Sequence, residues 1–164
     1  MARFRILFVV CGAIGLSACG GYSPMSSSSS SSLTPAVSGK WTVMLAANVS
    51  QGTMPPSTGL TVNFNQNGST LTGTVTAVNN PANSCFPLIT ATGTTFNVSG
   101  QVSPAMQSGS NLSLTIAFMS GSSSGTVTAA GTLAYLGTSA SGTFSFPAGS
   151  TGCTSGTFTM TQTG

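Results

Sequence analysis

The chain of 164 residues has no Asp, no Glu and no His, and only three Lys and Arg side chains. These are Arg3, Arg5 and Lys40. General acid–base chemistry rests chiefly on His or carboxylates with tuned pKa values, and neither type is present. Ser-His-Asp and Cys-His nucleophile systems cannot be assembled. A Ser-Lys pair is the remaining hydrolytic arrangement, and no S-x-x-K motif leads to Lys40. No catalytic residue is therefore assigned, and the chain is expected not to be an enzyme. Zinc sites need Cys, His or carboxylates and calcium cages are rich in carboxylates, so neither a metal nor a cofactor is expected. Nucleic acid is excluded as a partner, because phosphate binding needs clustered Lys and Arg. Scarcity of charge does not imply disorder here: disordered chains are usually charged and poor in apolar residues, whereas this one is 40% hydrophobic.

What charge there is concentrates at the start. Arg3 and Arg5 precede a mostly apolar run, Ile6 to Leu16. About eleven residues are too few to cross a bilayer, which needs roughly 20, so residues 1–18 read as a signal peptide. The run closes on Leu16-Ser17-Ala18-Cys19, which resembles the bacterial lipobox, a Leu and two small residues followed by Cys. The resemblance implies that the Cys19 thiol receives a diacylglycerol and that the leader is cut in front of it. It also implies acylation of the new amino group by chains such as palmitate. Lys40 then remains the only charged side chain of residues 19–164. In lipobox proteins an Asp after the lipidated Cys commonly signals inner-membrane retention. Gly20 and Gly21 stand there instead, which implies the outer membrane, lipid-anchored.

Residues 19–37 hold seven consecutive serines, Ser26 to Ser32, between Pro24 and Pro35. Such a segment buries no apolar area and is expected to act as a flexible tether with a reach of roughly 20 Å. Over residues 38–164 the period becomes two. Trp41, Val43, Leu45 and Ala47 open the pattern, followed by Leu60, Val62 and Phe64, then Leu71, Val75 and Ala77, then Phe96 and Val98. Leu112 to Phe118, Val127 to Tyr135, Phe144 with Phe146, and Phe158 with Met160 complete eight runs. Polar residues, mostly Thr, Ser and Asn, alternate with them, the mark of strands with one buried and one wet face. The eight prolines fall in the tether, in connections or at a strand end, and Asn67-Gly68 is a hairpin signal between the second and third runs.

Eight short antiparallel strands fit either a β-sandwich or an eight-stranded up-and-down barrel. The barrel is favoured because sheet edges are normally guarded by charge, and closure removes the edge. In a meander, Cys85 and Cys153 also fall in connections at the same end, where a disulfide is allowed. Gly39-Lys40-Trp41-Thr42 resembles the G-x-W opening of calycins, the group that includes lipocalins and avidins, and residues 69–75 resemble the third strand of avidin-type barrels. That resemblance implies the fold and not the ligand. Avidins stack biotin among several tryptophans where this chain has only Trp41, and the late Arg of lipocalins is missing. An outer-membrane pore shows the same alternation, but it carries aromatic girdles and a terminal aromatic that are not found here.

The four cysteines separate by role. Cys11 leaves with the leader, Cys19 carries lipid, and Cys85 with Cys153 form a disulfide in an oxidising compartment. The N-x-S sequons at Asn48, Asn67, Asn97 and Asn111 are attributed to chance in an Asn- and Ser-rich chain. Two functions remain. In the first, the lipid-anchored barrel binds a small neutral or apolar ligand, or a glycan, at the loop end. Met54, Pro55, Pro56, Asn79, Asn80, Asn83, Phe86 and Leu88 would then line an exposed mouth pointing away from the membrane. In the second, a structural or adhesive surface protein has Trp41, Phe64, Phe96, Phe118, Tyr135, Phe144, Phe146 and Phe158 filling the barrel. Gly73, Gly100, Gly131 and Gly142, on the same inward face, either leave space for a ligand or relieve crowding between rings.

Overall fold

Eight antiparallel strands follow one another in chain order and close into a barrel, each paired with its sequence neighbours and β1 paired with β8. The computed structural model describes residues 33–48, 56–79, 85–104, 109–146 and 153–164. The strands are β1 Gly39–Ala47, β2 Ser57–Asn67, β3 Thr70–Asn79, β4 Thr95–Val102, β5 Ser110–Ser120, β6 Ser123–Leu133, β7 Ser139–Ser145 and β8 Ser155–Gln162. Closure runs from Trp41 opposite Gln162 to Ala47 opposite Gly156, so the first strand satisfies the ladder groups that an open sheet would leave bare.

Alternation decides which way each side chain points. Trp41, Val43 and Leu45 on β1, Leu60, Val62 and Phe64 on β2, and Leu112, Leu114 and Ile116 on β5 are all buried. Between them the outer wall is lined by exposed hydroxyls and amides such as Thr72, Thr74, Asn63, Asn97, Ser113, Thr128, Ser141 and Thr159. A membrane-spanning barrel carries the reverse arrangement, apolar outside and polar within. Here the apolar face is the interior.

One irregularity redirects β3. Thr61 pairs with Ala77 but Val62 pairs with Val75, so Thr76 is an extra residue, a β-bulge. Its hydroxyl donates to the Thr61 carbonyl at 3.3 Å. Past the bulge the faces exchange: Ala77, expected inside from strict alternation, is exposed, and Val78 turns toward the core instead. The sixth strand also stops earlier than its apolar run suggests. β6 ends at Leu133, and Tyr135 lies in the following turn, 68% exposed rather than in the core.

The up-and-down order sends the connections alternately to the two ends. Residues 33–38 enter at one end, shared with the β2–β3, β4–β5 and β6–β7 connections. The β3–β4 and β7–β8 connections lie at the other, with the Cys85–Cys153 disulfide joining them across a Cα–Cα distance of 5.3 Å.

Candidate functional site

At the far end, the β3–β4 ladder runs only from Thr70 opposite Gln101 to Gly73 opposite Val98. The β5–β6 ladder, by contrast, runs from Ser110–Leu133 to Ser120–Ser123. β3 and β4 therefore part beyond Gly73, leaving a seam that ordinary strand pairing does not close. Among the described residues, the partly buried apolar side chains packed against the core all belong to this region: Val75 and Val78 on β3, Phe96 on β4, and Leu88 on the connection between them.

The same connection supplies a plug. Phe86 is 1% exposed, and its ring lies 6.0 Å from Phe144 and 5.7 Å from Phe146. Phe146 also meets Phe144 edge-on at 5.6 Å and Phe118 at 6.5 Å. Tilted and edge-to-face rings at these separations gain beyond simple area burial. Ile89, 1% exposed, adds to the plug. Compact turns hold it in shape: the Thr90 amide and hydroxyl both donate to the Phe86 carbonyl at 3.0 Å. The Thr94 hydroxyl reaches the Leu88 and Ala91 carbonyls at 2.8 Å.

Of the residues expected to form an open mouth, Phe86 is thus corrected. It faces inward because its ring, next in the chain to the disulfide's Cys85, packs against Phe144 and Phe146. Leu88 and Pro56 are half-buried, and Asn79 is exposed at the end of β3. The Asn79 carbonyl accepts a hydrogen bond from the buried hydroxyl of Thr58 at 3.2 Å. Met54, Pro55, Asn80 and Asn83 lie outside the described residues, as does Cys19.

The near end is closed by the chain's own entry segment. Val37 is fully buried, two residues ahead of β1, so the packed body begins earlier than residue 38. Its amide donates to Gln66 Oε1 at 2.6 Å, while Gln66 Nε2 donates to the carbonyls of Pro35 at 3.0 Å and Gly68 at 2.9 Å. The Trp41 indole N–H completes the clamp by donating to the Val37 carbonyl at 2.8 Å. Sequence reasoning missed Gln66, since a lone Gln on a strand carries no signal of what backbone it will meet.

Inward glycines decide how much room the barrel holds. Gly131 and Gly142 face each other across β6 and β7. A Cβ on Gly131 would overlap the Ser141 carbonyl oxygen, and one on Gly142 the Ala130 carbonyl oxygen. At Gly73 it would meet Val62 and Phe64, and at Gly100 the Ser113 carbonyl and Leu114. At these positions a side chain would run into the neighbouring strand or the side chains beside it, so glycine lets the strands approach closely there. Four concavities bounded by described residues are open depressions of the outer wall, one of about 700 Å³ over Gln101, Ser113, Ala130 and Thr132. Among the described residues, no group of His, Cys, Asp or Glu is placed to hold a metal ion. The Ser110 hydroxyl is buried without a hydrogen-bond partner among them.

No protein-family model, curated protein or solved structure matches this chain.

Proposed function

We propose that this protein is a lipid-anchored component of a bacterial cell envelope, tethered through Cys19 to the outer membrane, whose barrel is a filled, non-catalytic body. It acts by surface coverage and contact through its neutral wall of Thr, Ser and Asn. The leader and the Leu16-Ser17-Ala18-Cys19 motif support the anchor. The observation that carries the filled-body reading is the apolar interior, where Trp41, Leu60, Leu114, Phe144 and Phe158 are buried and Phe86 packs inward at the far end. With Lys40 the only charged side chain beyond the leader, the body has no cluster of charge with which to hold an ionic ligand.

A second reading keeps a small neutral or apolar ligand at the far end. The half-buried Val75, Val78, Leu88 and Phe96 along the β3–β4 seam favour it. In this reading the ligand sits at the rim, beside Pro56 and Asn79.

Replacing Cys19 with Ala tests the anchor. The parent protein is expected to fractionate with the outer membrane and enter the detergent phase, with the substituted form losing both properties. Equal fractionation of the two forms overturns the anchor.

A further inference from the structure

Four large apolar side chains are exposed among the described residues: Leu33, Met119, Tyr135 and Leu136. Three of them sit at the near end of the barrel, where the chain enters. Tyr135 and Leu136, 68% and 81% exposed, occupy the two central positions of the turn between β6 and β7. Turn centres are usually Gly, Asn, Asp, Ser or Pro, and the far-end turn between β5 and β6 obeys this with Gly121-Ser122. The Tyr-Leu turn is also firmly held. The Gly137 amide donates to the Ala134 carbonyl and the Ala134 amide to the Ser139 carbonyl, each at 2.8 Å. A Cβ on Gly137, at φ 71°, would meet the Ala36 carbonyl oxygen and the Pro35 ring of the entry segment, so the turn and the entering chain are neighbours. Leu33, 78% exposed, lies two residues ahead of Pro35.

We propose that this end of the barrel docks on the bilayer surface, with Tyr135 and Leu136 entering the interface and Leu33 beside them. The proposal rests on the reading of Cys19 as the lipidated residue. Cys19 stands only fourteen residues before Leu33 in the chain, so the anchor lies within at most roughly 50 Å of contour from this end. Tyr favours the headgroup level, where its ring is buried and its hydroxyl stays wet, and Leu adds apolar area below it. Lys40 lies exposed near the start of β1, at the same end, and the chain has no Asp or Glu to be repelled by anionic headgroups. Docking turns the disulfide-bonded end away from the membrane.

The test uses the full lipidated protein, isotope-labelled, in nanodiscs of phosphatidylethanolamine and phosphatidylglycerol, with and without a nitroxide on the lipid chains. Amide signals of residues 134–138 are expected to broaden while those of Gly121 and Ser122 do not. Substituting Tyr135→Ser with Leu136→Ser should remove the broadening at Ala36 and Gly137, with an unshifted Trp41 indole signal showing that the fold persists. Disc-bound protein with neither end broadened overturns the docking and leaves the anchor standing. Protein that elutes free of the discs overturns the anchor. The unlipidated chain titrated with the same discs then decides the docking by the same signals. Concentration-dependent shifts at 134–138 without discs assign the patch to a second copy of the chain and also overturn it.

Discussion

The two ends of this barrel are closed by different chemistry. At the near end a single amide side chain, Gln66, together with the Trp41 indole, fastens an incoming strand of backbone over the core. At the far end, where β3 and β4 have stopped pairing, a disulfide and a cluster of four aromatic rings do the holding. Hydrogen bonds suffice where the segment to be held runs directly into β1 and needs only its direction set. A covalent bond is used where a long connection must be drawn back across an opening, because the entropy of closing that connection is large.

Removing the disulfide should break the comparison most. Replacing Cys85 and Cys153 with Ala releases a loop spanning 68 positions, expected to lower stability by about 4 kcal/mol in denaturant unfolding. Hydrogen exchange should accelerate first in β3 and β4 while the near end stays protected. Phe86→Ala removes the plug with the disulfide intact. Leaving a cavity among Phe118, Phe144 and Phe146, it should cost about 3 kcal/mol by the same unfolding measurement. The near end answers to a smaller change. Gln66→Ala strands the buried Val37 amide and should cost about 2 kcal/mol, with exchange accelerated at Val37 and the Trp41 indole rather than in β4. Ser110→Ala runs the other way: deleting a buried hydroxyl that has no partner among the described residues should be neutral or stabilise by about 1 kcal/mol. Acid should affect neither end. With no Asp, Glu or His to change proton binding on folding, the unfolding free energy should vary by less than about 1 kcal/mol between pH 7 and pH 3.

Strand number was legible in the two-residue rhythm, because a single buried face writes itself directly into alternate positions, whereas closure was legible in the scarcity of charge to guard an open edge. Pairing of Cys85 with Cys153 was legible for a related reason: a meander sends both connections to one end. Where the expectation failed, local geometry outweighed pattern. The bulge at Thr76 costs no hydrophobic residue, so nothing in the run Val75 to Val78 announces that Ala77 will face out. Leu133 to Leu136 is an apolar run that looks like strand, and only Gly137, free to adopt its positive φ, marks the turn that strands Tyr135 in solvent. Phe86 sits between a Cys and a Pro in a connection, a context that suggests exposure. Its burial follows from packing against Phe144 and Phe146, which lie far downstream in the chain. Gln66 was invisible for the same reason, since its partners lie about thirty residues upstream.

Native mass spectrometry of the protein extracted from its own envelope tests the filled body most directly. A mass equal to the disulfide-bonded chain from Cys19 plus its acyl groups, with nothing else retained, is the expected result. A stoichiometric bound small molecule that survives extraction would contradict it.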